Sequence, residues 1–177
     1  MNLRFDYNNM MTDAIGDKGI CPCAFEKNAD AIEKAYVSVM AGRGKGWQEW
    51  ADLPFVKDDY LDEMIDYCSG VREKADSFVV FGIGGSALGP LAVASSLLHL
   101  HHNELPREVR KAPRLYVEDN VDPERMQALL DVIDLKTAYF NVVTKSGETS
   151  ETLSQFLIIY DLLKRELGAE EAKKHIV

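Results

Sequence analysis

The chain has 177 residues, a formal net charge of −9 and 46% hydrophobic residues. That length suits one domain, or one domain with an appendage, and buries enough surface to need no staples. The acidic balance disfavours nucleic acid and anionic membrane as partners, since both reward clustered Lys and Arg. No apolar run approaches the roughly 20 residues of a membrane span, and Met1 to Asp6 lack the apolar core of a secretory signal.

Residues 1–20 read as an extended lead-in with a Gly-Asp-Lys-Gly turn at Gly16 to Gly19. Three cysteines, Cys21, Cys23 and Cys68, are too few for a disulfide framework and point to a reducing cytoplasm. Cys21-Pro22-Cys23 would supply half a metal site, but no second Cys or His pair has matching spacing, so no metal is expected. From Ala24 to Met40 the apolar positions Ile32, Ala35, Tyr36, Val39 and Met40 recur at helical spacing. Gly42-Arg43-Gly44-Lys45-Gly46 breaks that pattern and reads as a connector. Trp47 to Pro54 is expected to be a compact turn packed on the domain. A second helix is predicted from Lys57 to Lys74, with Leu61, Met64, Ile65, Cys68 and Val71 on one stripe and Cys68 as a core thiol.

From Ser77 the pattern alternates strand and helix. Phe78 to Ile83 is an apolar, β-branched and aromatic run, as in a strand buried on both faces. Gly82, Gly84, Gly85 and Ser86 follow, then a helix from about Pro90 to Leu100, with Pro90 in its first turn. That helix is apolar nearly all round and is expected to lie buried between neighbours. His99, His101 and His102 at its end suit the helix dipole better than a metal. Arg114 to Glu118 is a second strand. Asp122-Pro123 marks a helix start with Met126, Leu129, Leu130 and Ile133 facing inward. Ala138 to Val143 is a third strand, Glu151 to Leu167 a helix stopped by Gly168, and His175 to Val177 the beginning of a fourth strand. A parallel sheet with its fourth strand only starting would leave apolar faces uncovered. The chain is therefore expected to be the front part of a longer protein, or a truncated form of one.

Two loops carry the chemistry. The glycines between the first strand and its helix let the backbone approach a ligand at a helix N-terminus, which favours an anion. Gly82, Gly84 and Ala87 also fit the permissive dinucleotide pattern, with Glu118 as a possible ribose acid. The second loop, Thr144 to Thr152, holds five hydroxyl side chains and Lys145 between a strand and a helix. A helix cap needs one hydroxyl. The surplus fits a phosphate monoester bound by Thr144, Ser146, Thr149, backbone N–H groups and Lys145. A plain capping loop with a solvated Lys stays open as the alternative. Both loops fall at carboxyl ends of parallel strands, so they open on the same sheet edge.

GIGGSALGP at Gly82 to Pro90 closely resembles the glycine motif of the glucose-6-phosphate isomerase family. NVVTKSGETSET at Asn141 to Thr152 is similar to its phosphate loop. The resemblance covers essentially the whole chain, as the N-terminal part of such an enzyme. It implies an α/β fold, a three-layer sandwich with a doubly wound parallel sheet of the sugar isomerase (SIS) type, preceded by N-terminal helices. It divides the chain into a helical segment, 1–75, packing on the domain, and a first sugar-phosphate-binding domain, 76–177, truncated in or before its fourth strand. By matching positions, Gly85 and Ser86 line the sugar side, while Thr144, Lys145, Ser146 and Thr149 hold the phosphate. The implied reaction interconverts glucose 6-phosphate and fructose 6-phosphate through an enediolate, without metal or cofactor, in a cytoplasmic homodimer. Thr144 stands where many members have Ser, and Glu148 where they commonly have Thr, which sets a carboxylate near the anion. The family's ring-opening His or Lys, its proton-carrying Glu and its enediolate-steadying Arg lie beyond the matching region, so no catalytic residue is assigned in this chain. A non-catalytic sugar-phosphate-binding module and a dinucleotide-binding domain remain the other readings.

Overall fold

The structure, a computed structural model, describes residues 4–177; the first three residues of the expected lead-in lie outside them. The described residues form two compact units, 4–61 and 62–177.

The first unit is helical: α1 (Thr12–Ile15), α2 (Pro22–Lys27), α3 (Ala29–Gly42) and a 3-10 stretch, Gly46–Phe55. The helix expected from Ala24 is broken at Asn28, whose side-chain amide donates to Ala24 O at 2.8 Å and closes α2. Backbone atoms of Met11 and Ile20 pair as an isolated parallel bridge. Cys21 and Cys23 are joined as a disulfide at the start of α2, a pairing the sequence reading did not include. The glycine-rich connector uses its cations locally. Arg43 pairs with Asp52 at 3.6 Å and lies over the Phe55 ring, and Lys45 donates to Ala41 O. The apolar stripe of α3 and both tryptophans, Trp47 and Trp50, are exposed.

The second unit is built around three parallel strands, β1 (Ser77–Phe81), β2 (Arg114–Glu118) and β3 (Ala138–Val142), in the order β2-β1-β3. Around them run α4 (Asp58–Lys74, whose first turn belongs to the other unit), α5 (Gly85–Leu97), α6 (Arg107–Arg110), α7 (Pro123–Leu130), α8 (Ser150–Leu167) and α9 (Ala169–Ala172). The register sets Val79 beside Tyr116 and Phe140, and Phe81 beside Glu118 and Val142. These residues share one face, because side chains in a strand alternate. On it Phe81 and Phe140 stack at 5.8 Å and pack with Met126, Leu129, Ile159, Leu163 and Ala172 from α7, α8 and α9. This face is the core.

The opposite face is thinly covered. Phe78 and Leu115 line an apolar groove of about 480 Å³ with Met64, Tyr67, Cys68 and Val71 of α4. Leu115 and Val117 line another of about 390 Å³ with Leu91, Ala94 and Leu98 at α5. The helices thus form layers on both sides of the parallel sheet, the expected α/β sandwich. Two expectations fail on the thin side. Cys68 is exposed, because α4 rests on the sheet only through its last turns, where Val71 is buried. On α5 only Ala87 is buried, and Leu88, Val93 and Leu97 are exposed. Its outer surface meets no second layer among the described residues.

Past α9, Ile176 forms a single parallel bridge with Phe140, and Val177 N–H donates to Phe140 O at 2.8 Å. His175 lies in a 3-10 turn, buried, donating from Nδ1 to Ala138 O at 2.7 Å. Of the expected fourth strand, His175 to Val177, the described residues thus show only this isolated bridge at Ile176.

Candidate functional site

At the carboxyl edge of the sheet the strand ends are tied together. Gly82 N–H donates to Glu118 O at 3.3 Å, and Val143 N–H donates to Phe81 O at 2.9 Å. The glycine turn and the Thr144 loop thus leave from hydrogen-bonded neighbours, one strand spacing (~4.8 Å) apart. This juxtaposition follows from the β1–β3 pairing.

The glycine turn is compact for two physical reasons. Gly84 has φ +56° and ψ −124°, a conformation that a Cβ strongly disfavours. Gly82 approaches Ser86 so closely that a Cβ there would lie 2.9 Å from Ser86 Cβ. The chain enters α5 at once, with Ala87 and Leu88 N–H bonded to Gly84 O. The helix therefore begins at Gly85 and not near Pro90, which lies inside it. This correction matters for the site. Gly85 and Ser86 occupy the first helical turn, where the Ser86 N–H donates back to Ile83 O at 3.2 Å.

The second loop is held by its own hydroxyls. Thr144 Oγ1 and Thr149 Oγ1 are 2.9 Å apart, Gly147 N–H donates to Thr144 Oγ1 at 3.2 Å, and Glu148 N–H donates to Ser146 Oγ at 3.1 Å. Gly147 takes φ +74°, which turns the loop back toward its stem. Thr149 is the N-cap residue of α8, yet its side chain makes no capping bond. Its hydroxyl is spent on Thr144, so the first-turn N–H groups of an 18-residue helix remain uncapped by side chains. Lys145 and Glu148 are both exposed. Of the remaining hydroxyls, Ser150 donates to Glu151 Oε2 at 3.0 Å, and Thr152 is fully buried with its Oγ1 unpartnered.

Thr144 and Thr149 are brought into contact, Ser146 braces the same loop, and Gly85 and Ser86 stand at the end of the adjoining strand. Glu118 does not behave as a ribose acid. Its side chain is only 10% exposed and bound to Arg125, Oε2 to Nη2 at 3.1 Å. Burial pushes its carboxyl above the usual range despite that guanidinium. Arg125 is a residue the sequence reading passed over; its place on the first turn after Asp122-Pro123 was the available signal. The histidines are engaged locally. His99 Nδ1 accepts from His101 N–H, His101 lies 3.3 Å from Glu104, and His102 Nε2 donates to Pro113 O.

The fold defines an α/β protein with a parallel sheet whose two loops meet at its carboxyl edge, and the family model for phosphoglucose isomerase matches residues 50–177. The chain belongs to that family. It is 43% identical over 168 residues to a glucose-6-phosphate isomerase of Carboxydothermus hydrogenoformans, covering 95% of this chain and 36% of that protein. A glucose-6-phosphate isomerase of Bacillus thuringiensis is 33% identical over 177 residues, covering 99% of this chain and 38% of that protein. The chain thus spans little more than a third of these relatives. Among solved structures, a hypothetical protein of Thermus thermophilus superposes with TM-score 0.66 and 31% identity over 88% of this chain and 34% of the other. A glucose-6-phosphate isomerase of Chlamydia trachomatis gives TM-score 0.53 and 25% identity over 64% of this chain and 20% of the other.

Proposed function

We propose that this chain supplies the sugar-phosphate-binding edge of a glucose-6-phosphate isomerase. The observation that carries this reading is the uncapped N-terminus of α8, whose N-cap hydroxyl is turned to Thr144 beside Lys145. A loop built only to cap the helix would point Thr149 at its own first-turn N–H groups. In the proposed site those N–H groups, Lys145 and the hydroxyls of Thr144, Ser146 and Thr149 hold the phosphate. The first turn of α5, at Gly85 and Ser86, faces the sugar. Glu148 stays in solvent and takes no part.

The reaction of the whole protein is the aldose–ketose interconversion of glucose 6-phosphate and fructose 6-phosphate, a step of glycolysis and gluconeogenesis. The proton transfers need groups within hydrogen-bond reach of C1 and C2, and this reading takes none of them from residues 1–177. Residues 76–177 act as the binding domain, preceded by a helical segment, 1–75, and the whole protein acts as a cytoplasmic homodimer.

The test is ligand binding and turnover measured on the 177-residue chain. It should bind fructose 6-phosphate weakly without isomerising it, and joined to the remaining two thirds of a relative it should gain turnover. A rise in melting temperature with NAD and none with fructose 6-phosphate would overturn the reading in favour of a dinucleotide domain.

A further inference from the structure

Arg125 touches three consecutive residues at the end of β2. Its Nη2 lies 3.1 Å from Glu118 Oε2 and donates to Val117 O at 3.3 Å, while Nη1 donates to Asp119 Oδ1 at 3.2 Å. The arginine is held from behind, because Asp122 Oδ1 accepts from the N–H groups of Glu124 and Arg125 and fixes the first turn of α7. Glu118 in turn meets the glycine turn through its main chain, its carbonyl accepting the Gly82 N–H. Gly82 lies close against Ser86, so that a side chain at Gly82 would meet Ser86 Cβ at 2.9 Å. Glu118 is thus linked to Gly82 by a hydrogen bond, and the turn that follows is tied to α5 by Ser86 N–H on Ile83 O. The Thr144 loop is braced internally by the Thr144–Thr149 contact, while its stem shares support with the glycine turn, Val143 N–H donating to Phe81 O, the carbonyl of the peptide that carries the Gly82 N–H.

We propose that Arg125 and Glu118 form a strut that positions the glycine turn, Gly82 to Ser86, and with it the sugar-facing wall of the site. Both are positioning residues. The proposal deepens the sugar-phosphate reading and, for its ligand, rests on it. Burial raises the Glu118 carboxyl, Arg125 opposes the rise, and Asp119 and Asp122 add to it. At neutral pH the buried charge thus costs the fold more than the ion pair returns, so the pair is a poor device for global stability. That separates positioning from simple bracing.

The experiment uses the 177-residue chain, with amide hydrogen exchange read residue by residue and with inorganic phosphate and fructose 6-phosphate as probes. In Arg125→Ala, protection at the Gly82 and Ser86 amides should fall about tenfold, as for the loss of one charge-assisted hydrogen bond, while the Gly147 and Glu148 amides, bonded within the Thr144 loop, change by less than about twofold. Affinity for fructose 6-phosphate should fall more than affinity for inorganic phosphate. The near-isosteric Glu118→Gln should loosen the same amides in the same direction without lowering the melting temperature at neutral pH. Equal loosening of both loops, or unchanged protection at Gly82 in both variants, would overturn the strut. Failure of the underlying reading looks different: Lys145→Ala would leave phosphate binding unchanged while the exchange pattern still reported on the strut.

Discussion

The two loops at the carboxyl edge leave neighbouring strands, yet they are made of different material. The glycine turn is shaped by main chain: Gly84 supplies a conformation few other residues tolerate, and Gly82 supplies room for Ser86. The Thr144 loop is shaped by side chains, with hydroxyls bonding one another and the loop's own N–H groups. A wall of main chain presents fixed N–H groups and is broken by adding atoms. A wall of hydroxyls is adaptable and is broken by removing them. The first suits a sugar that must be held at one distance, the second a phosphate whose oxygens accept from several directions.

The comparison breaks most completely where the loops share support. Phe81 and Phe140 are fully buried and stacked beneath both stems. Phe140→Ala should cost about 3–5 kcal/mol in denaturant unfolding and loosen both loops together. Gly84→Ala is the selective version: it should cost about 1–3 kcal/mol through backbone strain alone. Phosphate binding at the Thr144 loop should survive it, and loss of that binding would show that the two walls are one cooperative unit.

A smaller effect comes from pH. The folded pKa of Glu118 lies above its ordinary 4.5. Its contribution to stability is then fully present below that ordinary value and lost as pH rises through the folded one. Relative to Glu118→Gln, the parent chain should gain melting temperature on acidification across that window. A parent chain that loses ground to the variant on acidification would mean that Arg125 outweighs burial. The smallest effect belongs to Ser86→Ala, which should leave inorganic phosphate affinity within about twofold, since the hydroxyl is assigned to the sugar and not to the anion.

The sequence made the two loops legible for opposite reasons, glycine spacing in one and an excess of hydroxyls in the other. Helices α7 and α8 were legible because burial on one side imposes its period on the residues. What it hid was tertiary. Pro90 looked like a helix start, yet Gly84 and Gly85 had already set the helical path, so the first turn fell on the site itself. Cys68 and the apolar surface of α5 looked buried because hydrophobicity reports what can be covered, not what covers it. The role of Arg125 was only half visible: its place on the first turn after Asp122-Pro123 could be read from the sequence, but the strand end it reaches could not.

The central claim is that the Thr144 loop binds phosphate rather than merely capping α8. The most direct measurement is an inorganic phosphate titration of the 177-residue chain and its Lys145→Ala variant at low ionic strength. Loss of a charged partner worth roughly 1.5–3 kcal/mol should weaken binding by about one to two powers of ten. Equal affinity in the two proteins would contradict the account and leave the loop as a helix cap.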